Sequence, residues 1–139
     1  MVTTLLQRSS SREIGYEMAQ YIATRFTVTG TNPSQKLGTL PAGSVIMGIM
    51  SRVITAVAGG TPVLAVGAVP TGTAAPTFAL SAPNTLNVTM AEAAGSELVF
   101  PTTDIAQPLA TDYDVYVGTS GGVTSGDAVV AVLFIKPLA

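Results

Sequence analysis

The best candidates for a chemical site in this sequence are two carboxylates, Asp112 and Asp114, within "TDYDVYV". Residues two apart on a strand point to the same face, so the pair could support acid–base chemistry or hold a hard cation between subunits. The neighbouring residues do not supply the further oxygen ligands of a dedicated calcium loop. We therefore interpret both carboxylates as charges at the entrance of a strand, and we expect no metal and no cofactor.

Other features that could carry catalysis are weak. The chain has no histidine and no cysteine, which removes the commonest general base and the thiol nucleophile. Lys36 and Lys136 do not lie in a Ser-x-x-Lys pattern that would let a lysine activate a serine. The Gly-rich segment 118–127, "GTSGGVTSGD", is followed by an apolar strand and contains no lysine, so it indicates a hairpin loop and not a phosphate cradle. We predict that the protein is not an enzyme.

The composition indicates a protein surface made for contact with other chains. Charged residues make up 10% of the 139 residues and the net charge is −2, whereas an average domain is about 25% charged. Six Lys and Arg residues spread along the chain cannot form a strong basic patch, so we expect no direct contact with nucleic acid. We find neither an export signal nor about 18 uninterrupted apolar residues, and we expect no membrane association.

The pattern of the chain from residue 22 onward is that of β-strands. Within "ATRFTVTG", Arg25 and Thr27 alternate with Phe26 and Val28, which is typical of a half-buried strand. A long Val/Ile-rich strand, "SVIMGIMSRVITAV", is followed by "AGGT", which we interpret as a hairpin turn, and by the return strand "PVLAVGAV". Further candidates, "TFALS", "TLNVTM", "ELVF", "DYDVYV" and "DAVVAVLFI", bring the total to about eight. This regular spacing predicts an all-β fold, an antiparallel β-sandwich or barrel.

The two ends of the chain suggest contact with partners. We divide the sequence into an N-terminal arm or short helix, residues 1–21, and a single β-sandwich domain, residues 22–139. Within 10–23 a helix would place Ile14, Met18 and Tyr21 on one face, but an extended arm laid along a neighbouring subunit is the alternative. The final strand, 127–135, carries no charge after its first residue, so we expect it in the middle of a sheet or under a partner.

The run "LGTLPAGSVIMGIMSRVITAVAGGTPVLAVG" and the final "TSGDAVVAVLFI" resemble a pattern of small structural proteins of tailed bacteriophages. Those proteins share a "TLPAG"-type corner, a long Val/Ile strand, a Gly/Thr turn and a similar last strand. The resemblance covers residues 36–69 and 122–136, with Phe134 where tyrosine is usual. It implies a capsid decoration or cement protein with a jelly-roll-like sandwich, about eight strands and an N-terminal arm.

This resemblance also implies partners and a location. Such a protein sits on the outer capsid surface of the virion, after assembly in the host cytoplasm, and bridges neighbouring subunits of the major capsid protein; we also expect a homodimer or homotrimer. The alternative is a β-sandwich module of a tail, fibre or head–tail connector that binds protein or glycan. Tyrosine and arginine are enriched at interfaces, which favours the N-terminal region as the contact. The residues that we predict to contact partners are Leu5, Leu6, Arg8, Arg12, Tyr16 and Tyr21.

Overall fold

Eight β-strands make up most of the part of the chain that the computed structural model describes, which comprises residues 19–29, 34–75, 86–99 and 108–136. No helix occurs within these ranges, so this part of the chain contains no helix that could cross a membrane. The strands are β1 (Gln20–Thr27), β2 (Ser34–Leu40), β3 (Val45–Ala58), β4 (Val63–Pro70), β5 (Leu86–Met90), β6 (Gly95–Val99), β7 (Tyr113–Ser120) and β8 (Ser125–Ile135).

The strands form two antiparallel four-stranded sheets. One sheet has the order β1-β8-β3-β6 and the other has the order β2-β7-β4-β5. The pairs β1 with β8, β2 with β7, β3 with β6 and β4 with β5 are those of a long hairpin folded back over itself, which is the jelly-roll arrangement. The predicted all-β, jelly-roll-like sandwich of about eight strands is confirmed.

Alternating side chains of both sheets form one core between them. Along β8, Ala128, Val130, Val132 and Phe134 point inward beside the buried residues of β3, and residues from β2, β4 and β7 meet them from the facing sheet. Leu40, Ile49, Leu64, Val115, Val117, Val130 and Val132 have no exposed surface. As predicted, β8 lies in the middle of its sheet, between β1 and β3.

The turn between β3 and β4 differs from the prediction. The "AGGT" segment was expected to close a hairpin, but β3 and β4 belong to opposite sheets, and the turn carries the chain from one sheet to the other. The loop between β7 and β8, predicted to close a hairpin too, also connects opposite sheets. A glycine turn that closes a hairpin and one that connects two sheets have the same residue types. The turn residues therefore do not specify which strand becomes the hydrogen-bonding partner.

These two glycine turns pack against each other at one end of the sandwich. The Thr61 amide donates to the Gly121 carbonyl at 2.9 Å, and the Thr124 amide donates to the Ala58 carbonyl at 2.9 Å. A Cβ on Gly60 would lie 2.2 Å from the Gly121 oxygen, so the two backbones fit together only where side chains are absent. The turns therefore join the two sheets through backbone contacts.

The N-terminal region is described only from residue 19. Strand β1 begins at Gln20, so residues 20–23, the end of the segment for which a short helix was considered, are extended. Residues 1–18 lie outside the described part of the chain, as does the predicted strand "TFALS" at 77–81.

Candidate interaction surface

The outer face of the β1-β8-β3-β6 sheet carries apolar side chains in rows that run across the strands. The strand register places Tyr21 opposite Leu133, and next to it a row of four residues crosses the whole sheet. A third row places Val129 between Arg25 and Arg52. We define the apolar face as seven apolar residues of these rows together with Arg52: Tyr21, Leu133, Ala23, Ala131, Met50, Leu98, Val129 and Arg52.

Two irregularities in β3 add to the exposed apolar surface of this sheet. The register of β3 against β8 shifts between Ile46 and Gly48, and again between Val53 and Thr55. The extra residues at these shifts, Met47 and Ile54, are 49% and 47% exposed. A β-bulge re-aims the side chain that it contains, so the bulges in β3 turn two more large apolar side chains outward.

The larger apolar side chains of the apolar face are strongly exposed. Tyr21 is 72% exposed, and Met50 and Leu98 are 47% and 49% exposed. All the large apolar side chains that are strongly exposed within the described residues belong to this one sheet. A shallow depression of about 490 Å³ lies between Met50, Arg52, Leu98 and Val129. The largest contiguous apolar patch on a protein surface is often a contact surface.

The charges at this face are few, and one pair is neutralised within the chain. The Arg25 guanidinium donates to both carboxylate oxygens of Asp127, through Nε at 3.0 Å and through Nη2. This bond and the arginine charge lower the pKa of Asp127, and the same bond raises the pKa of Arg25. Arg52 is exposed and has no ion-pair partner within the described residues. Arg52 is therefore the unpaired charge of the apolar face.

The two aspartates singled out in the sequence have structural partners on the other side of the molecule. The Asp114 carboxylate is buried and accepts hydrogen bonds from Thr39 at 2.7 Å and Thr71 at 3.2 Å, while Lys36 lies 2.9 Å away. The hydrogen bond from Thr39, followed by that from Lys36, lowers the pKa of Asp114. The Lys36 ammonium thus supplies a positive charge next to the Asp114 carboxylate.

Asp112 also differs from a cation ligand. Its carboxylate accepts a hydrogen bond from the Ala42 amide at 2.8 Å, at the corner between β2 and β3 that the "PAG" residues form. Asp112 precedes β7, whose first residue is Tyr113, and it fixes this corner. Within the described residues, no group of three or more carboxylate, imidazole or thiol side chains could hold a metal ion.

Of the six residues predicted to contact partners, the structure describes Tyr21. It lies on β1 opposite Leu133, at a corner of the apolar face. Leu5, Leu6, Arg8, Arg12 and Tyr16 lie outside the described residues, and their role stays a prediction.

Met50, Leu98 and Val129 could not be predicted as contact residues. In sequence they are indistinguishable from core residues, because both faces of β3 and β8 are apolar. The one signal was the lack of charge along β8, which suggested cover by a partner as an alternative to a central position in the sheet.

The fold is shared with chains of viral capsids. A chain of the capsid of Ralstonia phage GP4 matches with a TM-score of 0.51 and 19% identity over 86% of each chain. A chain of the cyanophage Pam1 capsid matches with a TM-score of 0.50 and 19% identity, over 88% of this chain and 87% of that one. No protein-family model and no curated protein matches the sequence. At this identity the likeness shows a common fold.

Proposed function

We propose that the chain is a structural protein of a phage capsid that decorates the shell and cements neighbouring subunits of the major capsid protein. The observation that carries this proposal is the extent of the structural match: nearly the whole chain corresponds to nearly the whole of a chain in the GP4 and Pam1 capsids. Each match extends over more than four fifths of the capsid chain, so the likeness is to that chain as a whole and not to one of its domains. The sequence pattern of phage structural proteins supports the same function independently.

The surface of the domain suits this function. The outer side of the β1-β8-β3-β6 sheet carries exposed Met50, Leu98 and Val129, and charges are scarce. One such patch gives a weak contact by itself, since a specific interface of standard size buries about 800 Å² per partner. On an icosahedral shell the same contact is repeated many times, and avidity makes modest contacts sufficient. A protein that acts by added contact area needs no catalytic group, and the chain offers neither a histidine nor a cysteine.

The proposal includes a position and partners. The protein assembles in the host cytoplasm, binds to the outer surface of the shell and contacts the major capsid protein and further copies of itself, as a dimer or trimer. Residues 1–21 supply contacts beyond the sandwich, through Leu5, Leu6, Arg8, Arg12, Tyr16 and Tyr21. Deletion of residues 1–12 should abolish binding to shells and leave the β-sandwich folded. Binding that is unchanged after the deletion would remove the arm from the proposal.

The test of the proposed function is the number of copies in the particle. Quantitative mass spectrometry of purified virions, from the virus whose genome encodes the chain, would give the ratio of this chain to the major capsid protein. We expect a simple fraction up to one, which corresponds to hundreds of copies on the shell. A handful of copies would instead indicate a tail or connector protein, and absence from purified particles would refute the proposal.

A further inference from the structure

The apolar face on the β1-β8-β3-β6 sheet is exposed, and it is too small for a stable dimer. Its three rows extend over three inter-strand spacings, about 14 Å, and over about 14 Å along the strands, which gives roughly 200 to 400 Å². A stable interface of standard size buries about 800 Å² on each partner. Two copies packed face to face through these rows alone would fall short of that area. A narrower occupant fits the dimensions better.

An extended segment of about five residues has the length of the row that crosses the sheet, since each residue spans about 3.3 Å. That row, Ala23, Ala131, Met50 and Leu98, contains no charged side chain. An occupant of matching chemistry is apolar and uncharged. The first seven residues of this chain, "MVTTLLQ", carry no charged side chain and include Leu5 and Leu6.

The place where the N-terminal segment enters the fold also favours this occupant. Residue 19 leads directly into β1, and Tyr21 stands at the corner of the apolar face. The preceding 18 residues, if extended, reach up to about 60 Å, which exceeds the width of a neighbouring sheet. To cover its own sheet, the segment would have to reverse direction at a point before Gln20. The four residues before Gln20, "YEMA", contain neither glycine nor proline to favour a tight reversal there, and the nearest glycine is Gly15.

We infer that the apolar face of one copy is the docking site for the N-terminal segment of a second copy, with the apolar residues around Leu5 and Leu6 laid across the row that ends at Leu98. Each copy both donates a segment and receives one. This link joins neighbouring copies head to tail, and it is independent of whether the copies also sit on a capsid.

The absence of cysteine makes the test direct, because each thiol that is introduced is then unique in its chain. Full-length Leu5→Cys is mixed with isotope-labelled full-length Leu98→Cys, and disulfide formation under mild oxidation is followed by mass spectrometry. The control partner is Ala74→Cys, an exposed position beyond the end of β4 in the other sheet. Docking raises the effective concentration of one thiol near the other, so the Leu5–Leu98 product should form about tenfold faster than the control product.

Two results would overturn this inference. Equal rates for Leu98→Cys and Ala74→Cys would show that the segment has no preference for the apolar face. In the double variant Leu5→Cys/Leu98→Cys, a disulfide that closes within single chains at every dilution would show that the segment covers its own sheet. The test uses purified protein without capsids, so its failure is distinct from failure of the capsid proposal.

Discussion

The contact between the two glycine turns makes Gly121 a position at which one methyl group should be costly. Gly121 has φ +84°, a conformation that disfavours any side chain, and an added Cβ would meet the Thr61 carbonyl oxygen at 1.7 Å. The substitution Gly121→Ala therefore brings both backbone strain and displacement of the strand end that follows Thr61. The displacement also breaks the hydrogen bond from the Thr61 amide to the Gly121 carbonyl.

The expected loss of stability is the sum of the conformational cost and the lost hydrogen bond, and a matched control variant separates the two. A residue with a side chain at positive φ costs about 1–2 kcal/mol, and loss of the hydrogen bond adds about 0.5–1.5 kcal/mol. We therefore expect Gly121→Ala to lower the free energy of unfolding by about 1.5–3.5 kcal/mol. The neighbouring Gly122 has φ +74°, but nothing lies within 4 Å of its added Cβ. Gly122→Ala should therefore show the conformational cost alone, about 1–2 kcal/mol.

The assay is chemical unfolding in urea, followed by far-UV circular dichroism because the chain has no tryptophan. The midpoint and slope for the wild type, Gly121→Ala and Gly122→Ala give the three free energies. If both variants lose the same free energy within about 0.5 kcal/mol, the packing of the two turns contributes nothing and the reasoning fails. A larger loss for Gly122→Ala than for Gly121→Ala would contradict it outright.

Three further predictions concern the core, the buried carboxylate and the apolar face. Phe26→Ala removes a fully buried ring and should cost about 3–5 kcal/mol in urea unfolding; a loss below 1 kcal/mol would show that Phe26 is not core. The pKa of Asp114 is lower in the folded state than in the unfolded state. Its contribution to stability is therefore complete above about pH 4, the region of the unfolded-state pKa, and is lost as the pH falls through the folded-state pKa. Asp114→Asn should accordingly flatten the decline of the unfolding free energy below pH 4, and an unchanged acid profile would contradict the assignment. Met50→Lys should change the unfolding free energy by less than about 0.5 kcal/mol yet reduce self-association in sedimentation velocity, whereas a strongly destabilised variant would place Met50 in the core.

The strands could be predicted from sequence because a period of two is a local property. In β1, the exposed Arg25 and Thr27 alternate with the buried Phe26, so this strand followed from the pattern. In β8 both faces are apolar, and its lack of charge left a central position in the sheet as one of two alternatives. The partner of each strand could not be predicted in the same way. The turn at Gly59 and Gly60 has the residues of a hairpin turn, yet it connects opposite sheets.

The contact surface was harder to predict than the fold. Met50 and Val53 lie on opposite faces of β3, one exposed and the other buried, and because both are apolar their hydrophobicity does not tell the two faces apart. At Ile54 a bulge interrupts the alternation, so counting residues along the strand does not give the side that a residue faces. The sequence pointed to an N-terminal contact region; within the described part of that region Tyr21 is exposed, and its contact with a partner stays a prediction.

The central position of β8 has a consequence for how the protein is made. The ribosome synthesises this strand last, yet it is the strand on which both β1 and β3 pair. Gln20 meets Phe134 only after the whole domain has been translated, which takes several seconds at about 5–20 residues per second. Until β8 has been made, the edges of β1 and β3 that pair with it have no partner strand. Folding of this domain therefore requires its last strand and is dominated by contacts between distant parts of the chain, and topologies of this kind fold slowly.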